Sequence, residues 1–527
     1  MVNTRVVRLG LAGFLGGLAF FGWAPWGWWP LLLLAVAGLY QLVNTATRPQ
    51  LAGVLGLCFG LAMHLGFYAT VFNTLIHHMG SAWPQALLFN VVVLVGMALF
   101  TALPCLLYAW LMDGCHWGNR TALRRAALFA SLWVLGEFMR ALIFPRMSFL
   151  SSGYALIDTW YAGFAPLVGS YGVGWLGLFT SAWCVGAWGE AKRVQLGARK
   201  TCRWSCMCVL SLLCLGFGLQ QQPWVEAEQT PFQVKLVQSG VASPLSAHAT
   251  SFNTDLQKLV DQVTAAPSDL VITSETAFPM YWHEIPAVLM DRIKTFSNTT
   301  DSALILGVPT MNDQFKGSNS MVFVQPNQSR VEIYSKVHLF PLGEYVPWGL
   351  GWLANRLQAS RNDLISGGSD QKPFQIFKNE TVLKIGTVVC NEILLSDVSR
   401  HWAPNAHALI NPANTAWFWQ DVLAPQILQI ARMRALEVGR PLLHISKTGG
   451  SAAVSATGEV VGLLPVGLTG VLDVHLLGTH GMTPYVWLGD WPVLVLCVLI
   501  VLLAVYGVRG ECARSELATD LAPAAGS

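Results

Sequence analysis

Residues 380–397 read ETVLKIGTVVCNEILLSD, and this run decides what kind of domain holds it. Its first eleven residues are apolar and rich in β-branched side chains, which predicts a strand over 380–390. The strand ends on Cys390, and the polar pair Asn391-Glu392 follows at once. Cys390 is the only cysteine between Cys214 and Cys497 in a chain that has eleven. A solitary cysteine is either a small hydrophobe packed in a core or a nucleophile. A free thiol has a pKa of about 8.5, so a nucleophilic one needs a base or a cation beside it. Choosing between these requires the side of a membrane that Cys390 faces and the groups around it.

The membrane enters through composition. The 527 residues are 53% hydrophobic and 12% charged, with 22 Trp and a mean hydropathy of +0.47. A net charge of +3 offers nothing to nucleic acid. Apolar runs long enough to cross a bilayer lie near 8–23, 27–44, 51–72, 86–112, 123–144, 166–188, 204–221 and 485–508. The first lacks a small-residue cleavage site and leads directly into Trp23, Trp26, Trp28 and Trp29, so it reads as an uncleaved span with an aromatic belt. Lys and Arg fall in alternate connections: Arg5 and Arg8, Arg48, Arg120 to Arg125, Lys192 to Arg203, then Arg509 and Arg514, with Arg146 the main exception. By the positive-inside rule those connections are cytoplasmic. The expected organisation is a seven-span membrane domain over 1–221, an exported domain over 222–484, an eighth span over 485–508 and a cytoplasmic tail over 509–527.

From Pro223 onward the pattern alternates. Strands are expected at 231–238, 269–275, 303–308, 320–324, 330–340, 380–390, 407–413 and 441–446, with a hairpin over 451–464 turning at Thr457-Gly458. Helices are expected near 251–265, 285–297 and 423–439. This is a mixed α/β domain with helix-covered sheets. It carries no HExxH, CxxC or Walker glycine loop, so the sequence gives no reason to expect a metal or a nucleotide.

Three strand ends carry chemistry: Glu275 after DLVIT, Lys336 in YSKVHLFPLGEYVPW (334–348) and Cys390 after KIGTVV. Singly, a Glu after a strand is a solvated turn and a Lys in a strand faces water. Together they place a carboxylate, an ammonium and a thiol at equivalent positions. In that order and context the three resemble the Glu-Lys-Cys triad of the nitrilase superfamily. With NTAWFW (414–419), ARMRALEVGRPLL (431–443), GMTPYVWLGDWPVLVL (481–496), LWVLGEFMRALIFP (132–145) and the eight spans, the whole chain resembles the apolipoprotein N-acyltransferase family.

The resemblance implies an α-β-β-α sandwich on an α-helical transmembrane bundle in a bacterial inner membrane, with the catalytic domain in the periplasm. It implies Glu275 as general base, Lys336 as oxyanion stabiliser and Cys390 as nucleophile. Glu344, Glu392 and Asn391 would support the triad, and Asn319, Trp417 and Phe418 would line the active site or the acyl path. The acyl donor would be a phospholipid such as phosphatidylethanolamine. The acceptor would be the N-terminal amine of a diacylated apolipoprotein. No cofactor is needed, and the enzyme would act as a monomer. The pair Arg434 and Glu437 is open to a surface ion-pair reading. Glu137 and Arg140, inside the fifth span, suggest a structural or headgroup role.

The chain departs from the family pattern beside the site. Thr273-Ser274 precede the base in place of Trp-Pro, and Asn391 follows the nucleophile in place of Tyr. Thr415 and Trp419 alter the familiar Ser-Asn-Asp-Ala-Trp-Phe-Gly, and Lys447 opens a stretch usually Asn-Asn-Gly. A membrane-tethered amidase and a paralogue with another acceptor therefore stand as alternatives. A transporter or scaffold with a silent domain would have lost part of the triad, which is intact.

Overall fold

In the computed structural model, the described residues are 2–77, 80–113, 121–144, 148–193, 198–240, 249–356, 363–417 and 420–520. They form two compact units, one of 1–68, 91–221 and 488–527, the other of 69–90 and 222–487.

Long helices run over Val2–Phe20, Trp29–Asn44, Pro49–His77, Trp83–Asp113, Ala122–Ile143, Ala165–Arg193, Ala198–Gln220 and Trp491–Asp520. Each coincides with an expected apolar run. Five helical stretches among the described residues are long and apolar enough to cross a membrane, and Trp29–Asn44 and Trp491–Tyr506 are shorter apolar helices. The last run is split, because Gly489 takes a left-handed φ of 59° between a short helix over Pro484–Leu488 and the long one. Within the helical unit Glu137 and Arg140 are buried but do not pair. Glu137 accepts from the Trp133 indole at 3.0 Å and the Ser152 N–H at 2.9 Å. Arg140 donates to His64 Nε2 at 3.1 Å and Ser151 Oγ at 3.0 Å. Of these neutral partners, His64, Ser151 and Ser152 tie the 122–143 helix to its neighbours.

The second unit is built on two six-stranded sheets. We number their strands β1 (Phe232–Gln238), β2 (Leu270–Thr273), β3 (Ala303–Gly307), β4 (Ser320–Val324), β5 (Glu332–Ser335), β6 (Phe374–Lys378), β7 (Thr381–Thr387), β8 (Ala408–Ala413), β9 (Leu442–Ser446), β10 (Ser451–Val454), β11 (Val460–Leu464) and β12 (Gly470–Leu476). One sheet has the order β12-β1-β2-β3-β4-β5, the other β11-β10-β9-β8-β7-β6. Each has a parallel core of three, β1-β2-β3 and β7-β8-β9, flanked by antiparallel strands. Strands β2, β3, β8 and β9 are buried throughout, as strands covered on both faces must be, while β1 and β7 are only partly buried.

Helices Ala249–Val263 and Ala287–Thr300 cover the first sheet. Leu256, Leu259, Val260 and Ile293 pack there against Val237, Val271, Leu304 and Val322. The second sheet carries Ser396–Trp402 and Gln420–Val438. The strand expected over 330–340 stops at Ser335, and β6, β12 and the 396–402 helix add to the elements expected.

Candidate active site

Functional side chains in α/β sheets gather at the carboxyl ends of parallel strands, where the chain leaves the ladder. Glu275 follows β2 and Cys390 follows β7, while Lys336 directly follows the edge strand β5. All three expected residues meet. The Glu275 carboxylate is 4% exposed. Its Oε1 accepts from Lys336 Nζ at 3.2 Å and Asn319 Nδ2 at 2.7 Å, and its Oε2 from the Asn414 N–H at 2.8 Å. The Cys390 thiol lies close enough to the same carboxylate for each to act on the other's protonation.

These partners set the protonation states. Burial pushes the Glu275 carboxyl up, but the Lys336 charge and the bonds from Cys390, Asn319 and Lys336 outweigh it and hold it below the usual range. Burial raises the Cys390 thiol, the Glu275 charge raises it further, and Lys336 and the Asn414 N–H offset only part of this. Burial would strip the proton from Lys336, yet Glu275, Glu344, Cys390 and Glu392 together push its pKa up. At neutral pH the resting site is therefore a carboxylate, a thiol and an ammonium.

Glu344 is the second carboxylate on Lys336, with Oε2 at 2.9 Å. It also accepts from Asn319 Nδ2 at 2.6 Å and the Phe340 N–H at 2.6 Å. Lys336 Nζ also lies 3.1 Å from Glu344 Oε1, so three carboxylate oxygens surround this ammonium.

Glu392 is fully buried and works on the backbone. Its Oε1 takes the N–H groups of Val337 at 3.0 Å and His338 at 2.8 Å, and its Oε2 takes the Val389 N–H at 2.8 Å. One side chain thus fastens the segment after Lys336 to the turn that carries Cys390. Burial raises its carboxyl, and those three N–H groups with Lys336 work against the rise.

Cys390 has a φ of 54°, a left-handed conformation that costs a non-glycine residue about 1–3 kcal/mol unless its surroundings enforce it. Asn411 does so from beneath, donating Nδ2 to the carbonyls of Val388 at 2.6 Å and Cys390 at 3.1 Å. His444 Nδ1 lies 2.8 Å from Asn411 Oδ1. Burial lowers the His444 pKa to about 4, so the ring is neutral and donates from Nδ1 to that oxygen. Arg434 donates Nε to the Ile393 carbonyl at 3.1 Å and is ion-paired with Glu437. Both are buried, which overturns the surface-pair reading.

Of the other expected residues, Asn391 follows Cys390 in the turn Cys390–Leu394, and Trp417 ends a turn over Thr415–Trp417. Phe418 and Trp419 lie outside the described residues. Thr273 Oγ1 accepts from the Gly307 N–H at 2.9 Å, and Thr415 Oγ1 lies 2.7 Å from Ser446 Oγ. Lys447 is 1% exposed and, among the described residues, its Nζ donates only to the Thr276 carbonyl, at 3.4 Å. Sequence reasoning missed Asn411, Asn414 and His444. The rule that found Glu275 and Cys390, polar residues at the ends of parallel strands, applies equally to Asn414, which directly follows β8, whereas Asn411 lies within that strand. Among the described residues no group of three or more His, Cys, Asp or Glu could hold a metal ion.

A thiol beside a carboxylate, an adjacent ammonium and a backbone N–H after the nucleophile make a site for acyl transfer through a covalent intermediate. The domain is a carbon-nitrogen hydrolase domain: a family model of that description matches residues 237–477. A second model, described as the apolipoprotein N-acyltransferase N-terminal domain, matches residues 15–183. The apolipoprotein N-acyltransferase of Ralstonia nicotianae is 31% identical over 504 residues, covering 94% of this chain and 92% of that protein. That of Nitrosomonas europaea is 29% identical over 505 residues, covering 94% and 96%. The chain belongs to the apolipoprotein N-acyltransferase family. Among solved structures, an amidase from Nesterenkonia sp. aligns with 49% of this chain and 92% of its own, at 19% identity and a TM-score of 0.34.

Proposed function

We propose that this chain moves an acyl group from the sn-1 position of a membrane phospholipid to the N-terminal amine of diacylglyceryl-cysteine in an apolipoprotein, the final step of lipoprotein maturation. The observation that carries this reading is the convergence of Glu275, Lys336 and Cys390, with the buried Glu275 carboxylate 3.2 Å from Lys336 Nζ and its charge acting directly on the Cys390 thiol, in a chain whose relatives carry that activity in their name.

Glu275 takes the thiol proton as Cys390 Sγ attacks the ester carbonyl. Lys336 Nζ and the Asn391 N–H hold the oxyanion. The intermediate collapses to a thioester, and the lysophospholipid leaves as an alcohol with the proton Glu275 returns. The acceptor amine then attacks the thioester, Glu275 takes its proton, and the thiol is released and reprotonated. The cycle is ping-pong, and the donor's ester bond supplies its driving force. Phosphatidylethanolamine is the donor.

In this reading eight helices span the bacterial inner membrane, with residues 1–221 supplying seven and 485–508 the eighth. The basic connections and the 509–527 tail are cytoplasmic, and the 222–484 domain is periplasmic. Trp348 and Trp352, both exposed, dip into the outer leaflet beside the site. The enzyme acts as a monomer.

The test is the mass of the Cys390 peptide after the purified protein meets phosphatidylethanolamine alone. A hydroxylamine-labile acyl adduct is expected, absent in Cys390→Ala and discharged by a diacylated lipopeptide. An adduct that only water discharges would favour a tethered amidase, and no adduct would overturn the acyl-transfer reading.

A further inference from the structure

Asn391 sits immediately after the nucleophile, and neither of its side-chain polar atoms has a partner. Both Oδ1 and Nδ2 are shut off from solvent and make no hydrogen bond among the described residues. The surrounding polar groups are already engaged. Glu275 is occupied by Lys336, Asn319, Asn414 and Cys390, and Glu392 by three backbone N–H groups. Asn411 is occupied by two carbonyls and His444. Ser274 Oγ, Asn319 Oδ1 and His444 Nε2 are also buried without a partner among the described residues, but Asn391 is the side chain here with both an acceptor and a donor left empty, and such a carboxamide is expensive unless something else completes it.

The chemistry of the two substrates says which one completes it. The reacting end of a phospholipid, ester groups on a glycerol, offers acceptors only, so it would pair Nδ2 and leave Oδ1 empty. The N-terminal residue of a peptide presents an amine donor and, one carbon away, a carbonyl acceptor. A carboxamide offers the matching acceptor and donor side by side.

We propose that the Asn391 side chain is the specificity group for the acceptor. Its Oδ1 accepts from the acceptor's N-terminal amine, and its Nδ2 donates to the carbonyl of the same residue. This rests on the acyl-transfer reading above. The contact orients the amine lone pair toward the Cys390 thioester and leaves Glu275 free to take the proton. Asn391 thus contributes its backbone N–H to both halves of the cycle and its side chain to the second.

The test compares wild type with Asn391→Leu, which keeps the size of the side chain and removes both polar atoms. The thioester is first formed with phosphatidylethanolamine and then discharged by one of three amines. These are a diacylated lipopeptide, the S-diacylglyceryl cysteamine that has the amine but no carbonyl, and hydroxylamine. Asn391→Leu is expected to discharge the lipopeptide at least tenfold more slowly, chiefly through KM. The gap should shrink for the cysteamine and vanish for hydroxylamine. Equal slowing with all three amines, or none with the lipopeptide, overturns the proposal. Failure of the variant to form thioester at all also overturns it, since the side chain would then serve the fold or the first half-reaction. Failure of wild type to form thioester strikes the acyl-transfer reading instead.

Discussion

Lys447 is the least comfortable residue of the site. It is buried, and the one hydrogen bond its ammonium makes among the described residues is a long one to the Thr276 carbonyl. Burial lowers its pKa from 10.5 to about 8, and the charge on Glu275 offsets only part of the drop. The unfolded chain holds this proton up to about 10.5, and the folded chain releases it near 8. Between those values the unfolded state binds more protons, so this residue makes stability rise with pH. Its cost is full below pH 8 and gone above about 10.5. At about 1.4 kcal/mol per unit, the cost is on the order of 3 kcal/mol. Lys447→Met is therefore expected to be more stable than wild type at pH 7, with the advantage fading between pH 8 and 10.5. Melting temperatures of the two proteins in one detergent across that range check it, and a pH-independent difference would show that the ammonium is not strained.

At the scale of elements, the site depends on how closely β3 passes the end of β2. A Cβ on Gly307 would lie 1.9 Å from the Ser274 carbonyl oxygen and 3.0 Å from the Thr276 N, the residues on either side of Glu275. Backbone cannot yield as a side-chain tip can, so Gly307→Ala must push the Glu275 turn away from Lys336 and Cys390. A displacement of about 1 Å in a catalytic group costs roughly 100-fold in rate. Thioester formation by Gly307→Ala is expected to fall by about that factor while the protein still folds. A rate within threefold of wild type would mean that the turn is not held there.

The same scale shows what the sequence could and could not tell. Strands β2, β3, β8 and β9 were legible because each is a short apolar run buried on both faces. Glu275, Lys336 and Cys390 were legible because strand ends with chemistry on them are few. The run 330–340 misled because it alternates like a strand to its end. Beyond Ser335, however, the N–H groups of Val337 and His338 go to the Glu392 carboxylate instead of a neighbouring strand. A side chain 54 residues further on has replaced the ladder, and no local pattern announces that. His444 escaped notice for a similar reason, since its role is to orient Asn411, which in turn holds the Cys390 carbonyl.

At the scale of the molecule, one cysteine stands between Cys214 and Cys497. A nucleophilic thiol in an oxidising compartment gains from having no neighbour to trap it as a disulfide, so its isolation fits the proposed export of that region. The distribution of Lys and Arg gives the same orientation independently, because a basic loop resists translocation whatever the catalytic domain does. Two exposed positions separate the alternatives: Ser329 in the β4–β5 connection and Thr47 beside Arg48. In a background without other cysteines, Ser329→Cys is expected to react with a membrane-impermeant maleimide on intact spheroplasts. Thr47→Cys should react only after lysis. The reverse pattern would place the catalytic domain in the cytoplasm, where reducing conditions protect any thiol and the isolation of Cys390 would need no such explanation.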